Sequence, residues 1–191
     1  QKSAMSGFEK AFLGEYPDAN FSYTSSGSGA GVKAFNGGTV DFAGSDSPLK
    51  EDKGEIETAK ERCGGNDAWH LPTTIGPVAI AYNLGDTEVN ISTDSLAKIF
   101  KGEITKWNDD ALKAENEGTD LPDKDITVIF RSDESGTSDN FQKFLKSATG
   151  NWDNEGKQFP DAVGEGANGS SGVADQVASI DGAITYVEAG Y

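Results

Sequence analysis

The sequence has 191 residues, 35% of them hydrophobic, which is enough to build the core of one large domain or two small ones. Its 32 acidic and 16 basic residues give a formal net charge of -16. This charge excludes attraction to nucleic acid or to an anionic membrane surface as the main activity. No run of residues approaches the roughly 20 apolar positions of a membrane span. Any anionic ligand would have to be held by local groups.

The early part of the chain shows helix-like and strand-like patterns in turn. Apolar residues at helical spacing predict an amphipathic helix over residues 1–11 rather than a signal peptide. Residues 21–23 and 40–43 are predicted strands, and the second of them is predicted to be buried. A loop of small residues at 25–31 leads into another helix, and residues 51–62 are predicted to form a charged, exposed helix.

The later part of the chain continues this pattern, beginning with a long apolar strand at residues 75–82 whose approach is rich in Pro and Gly. Further predicted elements are a short helix at 96–100, a strand at 126–130 leading into Arg131, a helix beginning within the loop 132–138, a helix at 173–180 and a strand at 183–187. Because strands and helices alternate, the sequence predicts an α/β fold with substantial parallel pairing.

Two loops have the form of an anion site, because helix N-termini beyond strand ends present unpaired N–H groups. The first loop, around Ser28, offers a hydroxyl and backbone amides among glycines. The second offers Ser135, Gly136 and Thr137, with Arg131 at the preceding strand end for a bidentate contact to a tetrahedral oxyanion. Each loop alone is weak evidence, since such loops are often plain turns and such an arginine is often a surface ion-pair partner. Neither has the Gly-Lys-Ser/Thr of a nucleotide-binding loop.

Two aspartates lie next to these loops. Asp46 directly follows the predicted strand at 40–43, where it could simply be a cap or turn residue. Alternatively, it accepts the O–H of a protonated anion and so selects for such anions. Asp133 is placed to orient Arg131 and to balance part of its charge.

The single cysteine and the single histidine limit the possible chemistry. Cys63 cannot form a disulfide within the chain. His70 cannot build a histidine metal cluster by itself, and its place far in sequence from both loops argues against a catalytic triad. We therefore expect no bound metal and no cofactor.

Three segments make the sequence resemble the phosphate-binding proteins of ABC-type phosphate importers. They are YTSSGSGAG at residues 23–31, VDFAGSDSPL at 40–49 and RSDESGTS at 131–138. Weaker support comes from IFKGEITKWN at 99–108 and GAITYVE at 182–188. The resemblance therefore runs over nearly the whole chain.

The resemblance implies a two-lobed, periplasmic-binding-protein-like fold in which each lobe is a mixed, largely parallel sheet flanked by helices. Residues 1–76 would be an incomplete first lobe and residues 77–191 the second, in a receptor truncated at both ends. Phosphate would be bound in the cleft between the lobes, with Asp133 as the partner of the arginine. The implied phosphate ligands are Ser28, Asp46, Arg131, Ser135, Gly136 and Thr137.

The family further implies a solute receptor rather than an enzyme, located outside the cytoplasm and attached to the cell membrane by a lipid anchor on sequence preceding Gln1. Its partner would be the membrane permease of an ABC importer. Alternatives are a receptor for another oxyanion such as sulfate or molybdate, a serine hydrolase or phosphatase that uses Ser135 or Ser28, and a surface module without anion binding.

Overall fold

The computed structural model describes residues 2–191, so Gln1 of the first predicted helix lies outside the described residues. The chain divides into two compact units, of which the first extends to Gly76 and the second spans Pro77–Tyr191. None of the helices between residues 2 and 191 is both long and apolar enough to cross a membrane.

The first unit is helical. Its helices are α1 Lys2–Glu15, α2 Ser28–Asn36 and α3 Glu55–Arg62, which confirms the three helices predicted in this region. Helices α2 and α3 are joined by Arg62, whose Nε donates to Phe35 O at 2.9 Å and whose guanidinium lies 4.5 Å from the centre of the Phe35 ring. Buried Ala59 provides close packing on α3.

The two strands predicted in the first unit are wrong. Residues 2–76 contain no strand in this structure, and the segment at 40–43 is exposed rather than buried, with Phe42 at 51% exposure. The physical reason is that alternating apolar residues indicate which side chains could face a core, but a strand also needs a neighbouring strand for its backbone groups. Residues 21–23 and 40–43 have no such neighbour here, so the sheet expected in this unit is not formed by these residues.

The second unit contains the sheet. Its elements are β1 Val78–Tyr82, α4 Thr93–Phe100, α5 Asp110–Glu115, β2 Thr127–Arg131, α6 Gly136–Thr149, β3 Glu165–Ala167, α7 Gly169–Ser179 and β4 Ala183–Glu188. The strand order is β1-β4-β2-β3. β2 pairs in parallel with both β3 and β4, while β1 is antiparallel to β4. The predicted α/β class with a mixed, largely parallel sheet is therefore confirmed for this unit. Sequence patterns did not predict α5 or β3.

Helices cover both faces of this sheet, and β2 shows how. Val128 and Phe130 pack into the larger core together with α4 and α6, whereas Ile129 packs with Val173 and Val177 of α7. Successive strand residues point to opposite faces, so this split follows from the pleat of the strand. The end of β2 therefore projects from a sheet that is packed on both faces.

Aromatic rings fill the larger core. Phe141 stacks on Tyr186 with ring centres 4.5 Å apart, and Phe100 meets Phe141 edge to face at 4.9 Å. Trp107 is fully buried, and its indole Nε1 donates to Gly182 O at 2.9 Å. This hydrogen bond satisfies the one polar atom of the indole, as a buried tryptophan requires.

Candidate functional site

Arg131 is the last residue of β2, and its side chain is held by other side chains of the second unit. Its Nε donates to Asp133 Oδ1 at 2.7 Å and its Nη2 to Asp133 Oδ2 at 2.5 Å. Its Nη1 donates to Ser170 Oγ at 3.1 Å. A guanidinium has five N–H donors. These three bonds leave one donor on each terminal nitrogen, and the residue is only 5% exposed.

Asp133 is the carboxylate that fixes this guanidinium. Burial by itself raises the pKa of Asp133, but the hydrogen bonds from Arg131 and from the backbone N–H of Gly169 outweigh that effect and hold its pKa below the usual range. The Gly169 N–H donates to Asp133 Oδ1 at 3.0 Å. Since Gly169 is the first residue of α7, Asp133 links the end of β2 to the start of that helix.

Ser135 is the N-cap of α6. Its Oγ accepts hydrogen bonds from the backbone N–H groups of Thr137 at 3.1 Å and Ser138 at 3.4 Å. The Ser135 N–H donates to Lys157 O at 2.9 Å, which fixes the loop before the helix. Because an N-cap hydroxyl accepts through its oxygen, its own hydrogen can still be donated. Gly136 is the first helical residue, and its N–H has no acceptor within the helix.

The first turn of α6 is therefore suited to an anion. Ser135 and Thr137 are buried, and both carry hydroxyls. The N-terminus of a 14-residue helix also supplies the positive end of its dipole. The Ser135 oxygen is engaged by backbone amides rather than by an imidazole, which is the opposite of what a serine nucleophile needs.

Tyr186 is a site residue that the sequence analysis missed. Its hydroxyl oxygen accepts from the backbone N–H of Arg131 at 3.2 Å and lies 2.7 Å from Ser138 Oγ. Burial raises the pKa of Tyr186 to about 12, against the smaller opposing effects of its hydrogen bonds with the Ser138 hydroxyl and the backbone N–H of Arg131. The phenol is thus a neutral connector at ordinary pH.

A second group of predicted residues lies in the first unit. Ser28 is the first residue of α2, is 5% exposed, and accepts a hydrogen bond from Asp46 N–H at 3.1 Å. Gly27 before it has a φ of 84°, a left-handed conformation that favours glycine. A Cβ on Gly31 would lie 3.0 Å from Gly44 O, so the helix and the loop before Asp46 approach closely. Asp46 itself is exposed.

The structure thus brings the predicted residues together in two groups, each within its own unit. Ser28 and Asp46 form one group. Arg131, Asp133, Ser135, Gly136 and Thr137 form the other, with Gly169, Ser170 and Tyr186 added to it. Within residues 2–191, no group of three or more His, Cys, Asp or Glu side chains is arranged to hold a metal.

Helix N-termini and a strand end that gather an arginine, hydroxyls and backbone amides are typical of α/β proteins that bind small anionic solutes. The chain belongs to the PBP superfamily, whose domain matches residues 1–191.

Comparisons with individual proteins agree with this assignment. The chain is 48% identical over 191 residues to phosphate-binding protein PstS 3 of Mycobacterium leprae, a match that covers 98% of this chain and 51% of that protein. A solved phosphate-binding protein from Stenotrophomonas maltophilia is similar with a TM-score of 0.70 and 26% identity, over 88% of this chain and 53% of that one. A high-affinity periplasmic phosphate-binding protein with bound phosphate is similar with a TM-score of 0.68 and 28% identity, over 88% and 50%.

These matches confirm the resemblance to phosphate-binding proteins that the sequence motifs indicate. They also show that the chain spans about half the length of the proteins it matches.

Proposed function

We propose that this chain is the phosphate-binding part of a solute receptor that delivers inorganic phosphate to an ABC importer. The observation that carries the proposal is the way in which the Arg131 side chain is held. Its side chain is buried, its plane is fixed by Asp133, and one N–H donor on each terminal nitrogen is left over after its protein contacts. A fixed pair of such donors matches two oxygens of a tetrahedral oxyanion.

The neighbouring helix N-terminus adds to this pair. Ser135 and Thr137 can donate their hydroxyl hydrogens and Gly136 its backbone N–H, next to the positive end of the α6 dipole. Micromolar affinity requires about -8 kcal/mol, and hydrogen bonds to charged groups contribute about 1.5–3 kcal/mol each. These donors are thus of the right number and kind to outweigh the overall negative charge of the protein, which salt screens at distances beyond about 8 Å.

Ser28 and Asp46 are proposed as phosphate ligands within the first unit. Ser28 would donate its hydroxyl hydrogen, because its oxygen already accepts from Asp46 N–H. The Asp46 carboxylate would accept the O–H of protonated phosphate. A carboxylate in that role repels an anion that carries no proton, so it would favour phosphate over sulfate.

The wider setting is proposed on the same basis. The two compact units, residues 1–76 and 77–191, would be the two lobes of the receptor. The receptor would act outside the cytoplasm, attached to the membrane by a lipid anchor and working with a membrane permease. Support comes from similarity to proteins named as periplasmic or phosphate-binding.

Isothermal calorimetry tests the proposal after bound phosphate has been removed exhaustively. We expect phosphate to bind and sulfate to give no signal. Thr137→Val should weaken phosphate binding, while Thr58→Val removes an exposed threonine hydroxyl of α3 in the other unit and should have no effect. Equal binding of both anions would favour a receptor for another oxyanion, and binding of neither would contradict the proposal for this chain.

A further inference from the structure

The first turn of α7 holds Arg131 in two ways. Ser170 Oγ accepts from Arg131 Nη1 at 3.1 Å, and Gly169 N–H donates to the carboxylate that grips the other side of the guanidinium. Ser170 is 39 residues away from Arg131 in the sequence, and neither the anion loops nor the family motifs include it.

This geometry gives Ser170 a distinct role. The bidentate contact with Asp133 fixes one edge of the guanidinium through Nε and Nη2, but it leaves Nη1 unsupported. The Ser170 oxygen is the acceptor that holds Nη1. It also satisfies a donor that would otherwise be buried without a partner, because the arginine is almost entirely shielded from water.

We propose that Ser170 is a positioning residue for anion binding, which sets the affinity for phosphate by holding Nη1 of Arg131. This inference rests on the proposed function. Without Ser170, the buried Nη1 loses this partner, so the guanidinium can tilt within its contact with Asp133 and the two donors intended for the anion are held less firmly. Ser170 thus acts through Arg131 and makes α7 part of the binding machinery of the second unit.

Three variants at one turn of α7 test the inference with inorganic phosphate as the probe. Ser170→Ala should raise the dissociation constant about tenfold, equivalent to ~1.4 kcal/mol at 25 °C. Ser170→Thr keeps the hydroxyl and should stay within about twofold of the original protein. Ser171→Ala is the matched control, since Ser171 is the next residue of the same turn and is exposed. Unchanged affinity in Ser170→Ala would overturn the inference.

A double-mutant cycle separates positioning from a general structural effect. Lysine has no Nη1, so Ser170→Ala should change phosphate affinity less than about twofold in an Arg131→Lys background. An equal loss of affinity in both backgrounds would contradict an action through Arg131.

The same cycle measured by chemical denaturation without phosphate tests the Ser170–Arg131 contact by itself. We expect Ser170→Ala to destabilise the original protein more than it destabilises the Arg131→Lys variant. If the two substitutions instead have additive effects on the free energy of unfolding, the Ser170–Arg131 contact contributes nothing to stability. The two failures are distinguishable. An original protein that binds no phosphate contradicts the proposed function, whereas intact phosphate binding by Ser170→Ala contradicts only the role of Ser170.

Discussion

The hydroxyl of Tyr186 connects Arg131 to Ser138, accepting from the backbone N–H of the first at 3.2 Å and lying 2.7 Å from Oγ of the second. One fully buried phenol on β4 therefore joins the end of β2 to the first turn of α6. The two elements that supply the proposed phosphate donors of this unit are thus connected through the core as well as through the loop between them. We expect this connection to control both stability and binding.

Tyr186→Phe should lower the free energy of unfolding by about 1–3 kcal/mol, because it leaves two buried polar groups without this partner. Phosphate binding should weaken as well, since Arg131 and α6 lose their link. Tyr16→Phe, which removes the hydroxyl of a 60% exposed ring in the first unit, is the control and should change neither quantity. A Tyr186→Phe protein with unchanged urea denaturation would show that the connection contributes nothing.

The raised pKa of Tyr186 gives this residue a characteristic pH dependence. Its pKa is about 12 in the folded protein and about 10 in an unfolded chain. Stability from the neutral phenol is therefore fully present below about pH 10 and is lost as the pH rises toward 12. The difference in unfolding free energy between the original protein and Tyr186→Phe should accordingly shrink across that range in denaturation experiments.

The stability contributed by Asp133 should depend on pH in the opposite direction and should be lost at low pH. Its pKa is lowered in the folded protein, so the stability from its carboxylate is present above the unfolded pKa of about 4 and is lost as the pH falls through the folded pKa. Asp133→Asn should cost about 1–3 kcal/mol at neutral pH, and this cost should diminish below about pH 4. Asp110→Asn alters a fully exposed carboxylate of the same unit and should have little effect at any pH. A cost for Asp133→Asn that stays constant with pH would contradict this assignment.

The pairing of β3 with β2 depends on Gly164. Its φ is +88°, and an added Cβ would lie 2.8 Å from the carbonyl carbon of Val128 on the neighbouring strand. Gly164→Ala combines backbone strain with a clash and should destabilise the protein by about 3 kcal/mol. Gly118→Ala is a matched control, because Gly118 has a φ of +87° with open space around it, and it should cost only about 1 kcal/mol. Equal thermal stability of the two variants would show that close approach at β3 is unimportant.

The sequence predicted the elements of the second unit well where local pattern and tertiary environment agree. The apolar run at 126–130 corresponds to the buried strand β2, and Ser135 caps the helix that follows. Arg131 and the loop after it were therefore identified together. The contacts of Ser170 and Tyr186 with Arg131 were missed because they span 39 and 55 residues, and no local pattern indicates such a contact.

In the first unit, by contrast, a local pattern predicted a strand that the structure does not contain. Val40 and Phe42 alternate with polar residues as a strand does, yet both are exposed. Alternating apolar and polar residues favour a strand with one buried face, but such a strand forms only when a neighbouring strand is present.

Asp46→Asn tests the proposed selection for protonated anions. Sulfate matches phosphate in shape but carries no proton at neutral pH, so the Asp46 carboxylate would face an oxygen that cannot donate to it. Sites built around such a hydrogen bond can reject the analogue by roughly 10⁴-fold. An asparagine amide can instead donate to sulfate, and we expect the ratio of phosphate to sulfate affinity to fall by at least about tenfold in competition calorimetry. Asp41→Asn, which neutralises another exposed carboxylate of the same unit, is the control for net charge. If both variants keep the original ratio, Asp46 does not select the anion.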